Sequence, residues 1–155
     1  MTKALDVGGF HTFAAELRAG GFEPPAEQGS WPAEHVAAHV ILNSDFFTAT
    51  ARRVMAGEQP TYDNEAAVEY DELAAYVSRI GGRDELAAEV ERAAADLAAS
   101  YVALSAEQSS SPVHVRIRHD GNLIVDEPRP IVEMIEGNAS FHLQMHLEQL
   151  LALRP

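Results

Sequence analysis

The chain has 155 residues and not one cysteine. Disulfides and thiolate metal ligands are thereby excluded, and any metal site must draw on His, Asp or Glu. Basic residues are scarce, 11 Lys+Arg against 24 Asp+Glu, for a formal charge of -13. A field of that sign repels phosphate backbones and anionic headgroups, so neither nucleic acid nor a membrane surface is an expected partner. Long apolar runs are missing as well. Nothing approaches the roughly 20 consecutive apolar residues of a membrane-spanning helix, and the first nine residues lack the charged start and unbroken apolar stretch of a secretory signal. A soluble, cytoplasmic protein is expected. The sequence also has no Gly-rich phosphate loop, no nucleophile elbow and no acidic metal cluster.

What is present is a core. Hydrophobic residues make up 46% of the chain, enough for one compact domain over 1–155 without staples. Punctuation divides it into four helical stretches and one hairpin. The first, 5–18, carries Phe10, Phe13, Ala14 and Leu17 at helical spacing and stops at Gly20 and Gly21. The second opens at Ser30-Trp31-Pro32, with Ser30 as cap and Pro32 in the first turn, and runs to Gly57. The third, 65–105, is broken or kinked at Gly81 and Gly82. Residues 113–118 then alternate apolar with polar before Asp120-Gly121, a tight-turn pair, which predicts a hairpin. Pro128 and Pro130 separate it from the last helix, 131–153, where Gly137 is a weak point. Four helices with short or moderate connections predict an all-α, antiparallel four-helix bundle with a small β-hairpin before the last helix.

Among seven histidines, helical phase singles out three. Around His39 the second helix gathers Val36, Asn43, Phe46, Phe47, Thr50 and Val54 within about 80°, and the opposite side collects Ile41, Asp45, Thr48 and Arg52. His39 should point inward. His142 and His146 are one turn apart, their Cβ atoms about 5–6 Å from each other, which lets both imidazoles reach one ion. They share an apolar face with Ile135, Asn138 and Leu153. Two imidazoles buried without partners would each carry an unsatisfied nitrogen costing on the order of 1–3 kcal/mol, and a shared metal or a carboxylate network removes that cost. Packing the second helix beside the last would bring His39 to the pair. Three neutral imidazoles with an open position are the ligand set of a catalytic metal site and suit Zn, Ni, Co or Fe(II).

His35, four residues before His39, offers an alternative pairing, but it lies toward the rim of the apolar face. His11, His114 and His119 read as surface residues on a helix flank, a strand's polar face and a turn. Arg116 and Arg118 read as solvated strand-face charges, with anion contact as the sharper alternative. The acidic runs 65–72 and 84–91, with Arg83 and Arg92 nearby, read as a solvated helix face. Asn43, Asn138 and Thr50 either line a pocket or satisfy nearby backbone.

The segment from Trp31 to His39, then Tyr62-Asp63-Asn64-Glu65-Ala66-Ala67, then Phe141 to Leu147 with His142 and His146, resembles the DinB/YfiT-like superfamily, and within it the mycothiol-dependent maleylpyruvate isomerase N-terminal, metal-binding branch. The resemblance implies a four-helix bundle that assembles as a homodimer. It also implies one metal-ligand histidine from the second helix and two ligands from the last, falling here on His39, His142 and His146. A divalent transition metal is implied, zinc first and nickel second, with a low-molecular-weight thiol as cofactor and a small-molecule thiol or electrophile as partner. Two departures point away from maleylpyruvate isomerase itself: that type has a carboxylate where this chain has His142, and a further C-terminal domain beyond the position of Pro155. The expected function is therefore a metal-dependent thiol S-transferase or isomerase-like protein of the mycothiol or bacillithiol type. The alternative is a non-catalytic, DinB-like stress protein that binds a metal or small molecule. A third outcome is a packed histidine core with no ion.

Overall fold

The computed structural model describes residues 3–155. The order is α1 (Gly8–Ala19), α2 (Ala33–Met55), β1 (Thr61–Asp63), α3 (Glu65–Val68), α4 (Tyr70–Ile80), α5 (Arg83–Ala103), α6 (Ala106–Ser109), β2 (Pro112–His119), β3 (Asn122–Pro130), α7 (Ile131–Gly137), a π-helical turn over Asn138–His142, and α8 (Leu143–Leu151). The chain is thus mostly helical with a small three-stranded sheet, which corrects the all-α expectation. The source of the difference is β1. It is only three residues long, too short to register as alternation, and it pairs parallel with β2, Tyr62 opposite Val115.

Helix α5 packs against both α1 and α2, and α8 reaches the same two helices. Phe10, Phe13 and Leu17 of α1, Ile41 of α2, Leu86 and Leu97 of α5 and Leu150 of α8 fill the space between them, with small residues such as Ala87, Ala93 and Ala94 setting how closely α5 approaches. Because α2 has neighbours on several sides, Ile41 and Thr48 are buried along with His39. The mostly polar back face expected for this helix is therefore packed in part: Arg52 stays exposed, and Asp45 takes two bonds from the Arg92 guanidinium at 3.1 and 2.8 Å. Arg92 also holds Glu89 and Asp96, both at 2.9 Å, so the acidic face of α5 is tied together rather than merely solvated.

Several boundaries differ from the sequence reading for local reasons. Pro32 is the N-cap residue of α2, in place of Ser30, and its carbonyl accepts from the His35 and Val36 amides. The hairpin turn is as expected, with Asp120 at φ 49° and Gly121 at φ 78°, the two positive values of the mirror-image turn. Strand β3, however, continues through Pro128 and Pro130. It is an edge strand in the order β1-β2-β3, where a missing amide donor is tolerated. At the start of α1, Gly9 lets the helix approach the last rod, since a Cβ there would sit 2.7 Å from Leu143 Cδ2.

The corner between β1 and α3 is fixed by one side chain. Buried Asn64 accepts from the Arg118 amide at 2.7 Å and donates to the Arg118 carbonyl at 3.2 Å, so its carboxamide continues the ladder where the strand ends. That corner carries Ala67 of α3. Asn64→Ala should lower unfolding stability by about 1–3 kcal/mol in urea titration, because it leaves the part-buried Arg118 backbone groups unpaired. A change within about 0.5 kcal/mol, the range of ordinary surface substitutions, would contradict this assignment.

Candidate metal centre

His39 from α2, His142 from the end of the π-helical turn and His146 from α8 come together. Each offers one ring nitrogen, and the three nitrogens lie within 4.8 Å of one another. His142 Nε2 is 3.2 Å from His39 Nε2 and 3.1 Å from His146 Nε2. The π turn lies at the start of this pair: one wide turn after Gly137 resets the phase of the rod, and such turns are recurrent near functional sites.

The protons of two rings are assigned by their partners. His39 Nδ1 lies 2.6 Å from the Ala67 carbonyl, which can only accept, so Nδ1 carries the hydrogen and Nε2 presents a lone pair. His146 Nδ1 donates to Gln149 Oε1 at 2.7 Å, with the same result. His142 Nδ1 has only Asn43 Nδ2 nearby, at 3.5 Å, beyond a firm hydrogen bond. Without an ion, the single Nε2 proton of a neutral His142 faces two lone pairs and satisfies one of them. Three lone pairs directed at one ion remove that mismatch. The spacing agrees, since Zn–N bonds of about 2.0–2.1 Å in a tetrahedron place ligand nitrogens about 3.3–3.4 Å apart. The donor set and its hydrogen-bonded outer shell thus fit a divalent transition metal.

Burial keeps the rings neutral. Desolvation first, then the neighbouring His146 and His142, push the His39 imidazole well below its ordinary value. His142 is lowered to about 3, by burial and then by His146. His146 is lowered by burial and by His119, with Gln149 opposing. Trp31 folds back over the group, 5.0 Å from the His39 ring and 6.3 Å from the His146 ring between centroids. Behind it, buried Asn43 donates to Asn138 at 2.6 Å and accepts from the Tyr62 hydroxyl, and Asn138 donates to Ser44 at 3.2 Å. Tyr62 is stacked flat on Phe47, 4.0 Å away, and its hydroxyl is pushed up by burial. This network ties α2, β1 and the last rod together directly behind the histidines.

Other candidates fall elsewhere. His35 is buried but does not join the three. His11, His114 and His119 are exposed, with carboxylates at 3.8, 2.5 and 3.4 Å. Arg116 and Arg118 are engaged with Asp63, each at 3.4 Å, which leaves neither as an unpaired strand-face charge. Thr50 bonds its own helix at Phe46, so only Asn43 and Asn138 are near the site. Sequence reasoning missed Trp31, Tyr62, Gln149 and the Ala67 carbonyl. Trp31, Tyr62 and Ala67 do lie in the segments that carry the family resemblance, without a role assigned to them there, and Gln149 carried its i+3 spacing from His146. Two clefts, about 820 and 370 Å³, are lined by none of the three histidines, and the first, between α2, β1 and α3 around Phe46, Thr61 and Glu69, shares Tyr62 with the network behind them.

The family model described as the mycothiol maleylpyruvate isomerase N-terminal domain matches residues 8–120. The chain belongs to that family. The matched span includes His39 but ends before the hairpin's second strand and the rod that carries His142 and His146, so those two enter the site through the fold. The crystal structure of the mycothiol-dependent maleylpyruvate isomerase is similar, with a TM-score of 0.70 at 18% identity, covering 92% of this chain and 56% of that one. At that identity the likeness shows a shared fold, and this family member spans little more than half the isomerase's length. No curated protein matches. Among the described residues, no helix is long and apolar enough to cross a membrane.

The neutral histidines make the metal-free protein acid-sensitive. A group whose folded pKa is depressed favours the folded state above its unfolded value, and that stability is lost as pH falls toward the folded value. For these rings the loss begins near the ordinary value of 6.5 and continues downward, for His142 toward about 3. Between pH 7.5 and 5.5, His142 should remove about 1.4 kcal/mol, and His39 and His146 act in the same direction. Chemical denaturation of metal-free protein at the two pH values reads this directly, and equal stability at both would contradict the burial of neutral rings.

Proposed function

We propose that this chain is a metal-dependent thiol transferase or isomerase-like protein using a low-molecular-weight thiol of the mycothiol or bacillithiol type, with His39, His142 and His146 as the metal ligands and zinc as the metal. The observation that carries the reading is the convergence of three neutral imidazoles, two of them with their outward N–H groups anchored. Family membership supports it. In the same reading, α1, α2, α5 and the 131–151 rod are the four members of the DinB-like bundle, the chain acts as one domain in the cytoplasm, and two copies form a homodimer.

The chain's own groups have defined tasks. His39 and His146 hold their lone pairs inward because Ala67 and Gln149 fix the opposite nitrogens. The Asn43, Asn138 and Tyr62 network keeps α2 and the last rod at a fixed separation. Trp31 shields the ring edges from water. When bound, the metal supplies a Lewis-acid position that favours the thiolate of a coordinated thiol, the nucleophile that a chain without cysteine does not itself provide. A small-molecule electrophile is the expected second substrate. Two clefts that none of the three histidines lines favour, as a second reading, a DinB-like protein that binds a metal without catalysis.

Zinc-loaded protein incubated with mycothiol or bacillithiol and a chromogenic electrophile should show thiol-dependent turnover. His39→Ala and His146→Ala should lose bound zinc by elemental analysis and at least about 100-fold in turnover, the upper range for damage to a metal site's supporting groups. Stoichiometric zinc without thiol-dependent turnover would reject catalysis and leave the binding reading. Wild-type protein that takes up no transition metal would reject both.

A further inference from the structure

The corner made by α3 and α4 touches two histidines of α2 and treats them differently. Its Ala67 carbonyl takes the Nδ1–H of His39. Three residues on, at the first position of α4, Tyr70 lies against the ring of His35, with 4.5 Å between centroids and 39° between planes. His35 is only 8% exposed, yet neither Nδ1 nor Nε2 has a hydrogen-bond partner among the described residues. Leaving such groups buried and unpaired costs about 1–3 kcal/mol each, and a tilted phenol ring does not offset it. Phe or Leu would fill the same space against Tyr70 without that cost.

Position gives the nitrogens a use. His35 stands one helical turn before His39 on the same side of α2, so its Cβ lies about 5–6 Å from that of a candidate ligand. Tyr70 covers it and is itself 43% exposed, so the cover faces solvent and can turn outward without disturbing the core. The chemistry of the missing partner follows from the ring. Burial lowers the imidazole's affinity for a proton, so it offers one N–H donor and one lone pair. An anionic partner would meet Glu34, the adjacent residue, which already acts electrostatically on this ring. A neutral group that both donates and accepts, a hydroxyl or a carboxamide, meets both conditions.

We propose that His35, under Tyr70, is a specificity-determining contact that takes a hydroxyl or carboxamide group of the thiol whose sulfur occupies the three-histidine centre. This rests on the thiol reading given above. Cobalt-loaded protein reports thiol binding through its sulfur-to-metal absorption, and two probes separate the claims: mycothiol, which carries such polar groups, and ethanethiol, which carries none. His35→Leu should weaken mycothiol about tenfold, the size of one lost hydrogen bond, and move ethanethiol less than twofold, with cobalt content unchanged. His35→Gln, which keeps a donor and an acceptor, should recover most of the mycothiol affinity and guards against a folding defect in the leucine variant. Equal weakening of both thiols, or no change in mycothiol, would overturn the assignment of His35 alone. Wild-type, cobalt-loaded protein that binds neither thiol would overturn the thiol reading and this ligand for His35 with it.

Discussion

Three imidazoles can be buried side by side only if their nitrogens are accounted for, and that constraint organises this protein. Two outward N–H groups are satisfied by Ala67 and Gln149. The inward nitrogens meet one another at 3.1 and 3.2 Å, where a single proton cannot serve all three. Much of the surrounding structure follows from holding them there. Asn64 fixes the corner that presents Ala67, the π turn sets the phase of His142 and His146, and the Asn43, Asn138 and Tyr62 network locks the two contributing rods against each other.

The fold gives each constraint a separate support. Helix α5, lined with alanine, brings α1 and α2 close, and the Arg92 bridge to Asp45 fixes that contact at the surface. The sheet would be a minor appendage if it were only a hairpin. By pairing with β1 it becomes the platform on which the Asn64 corner sits, and so connects a surface feature to the orientation of His39. Burial then completes the electrostatics, since rings removed from water stay neutral and keep their lone pairs free for an ion.

Much of this was legible in the sequence wherever one periodicity acted alone. The phase of α2 placed His39 inward, the i, i+4 spacing placed His142 beside His146, and Asp120-Gly121 marked the turn. Reasoning failed where contacts distant in sequence decide the outcome. A three-residue strand owes its existence to its partner 53 positions away, as Thr61 opposite His114 illustrates. Gly137 marked a weak point in the last helix but not the π turn that follows it, and the burial of Ile41 and Thr48 reflects neighbours on several sides of α2. Trp31 read as part of a helix start, whereas it stands just before the N-cap Pro32 and its ring lies against that of His39.

Membership in the mycothiol maleylpyruvate isomerase N-terminal domain family accounts for the scaffold, and the histidine geometry accounts for what the scaffold holds. The most direct test of that geometry is X-ray absorption spectroscopy of the protein loaded with one equivalent of zinc. The account predicts a shell containing three imidazole nitrogens at about 2.0–2.1 Å. A shell of oxygen atoms alone, or one with fewer than three imidazoles, would contradict it.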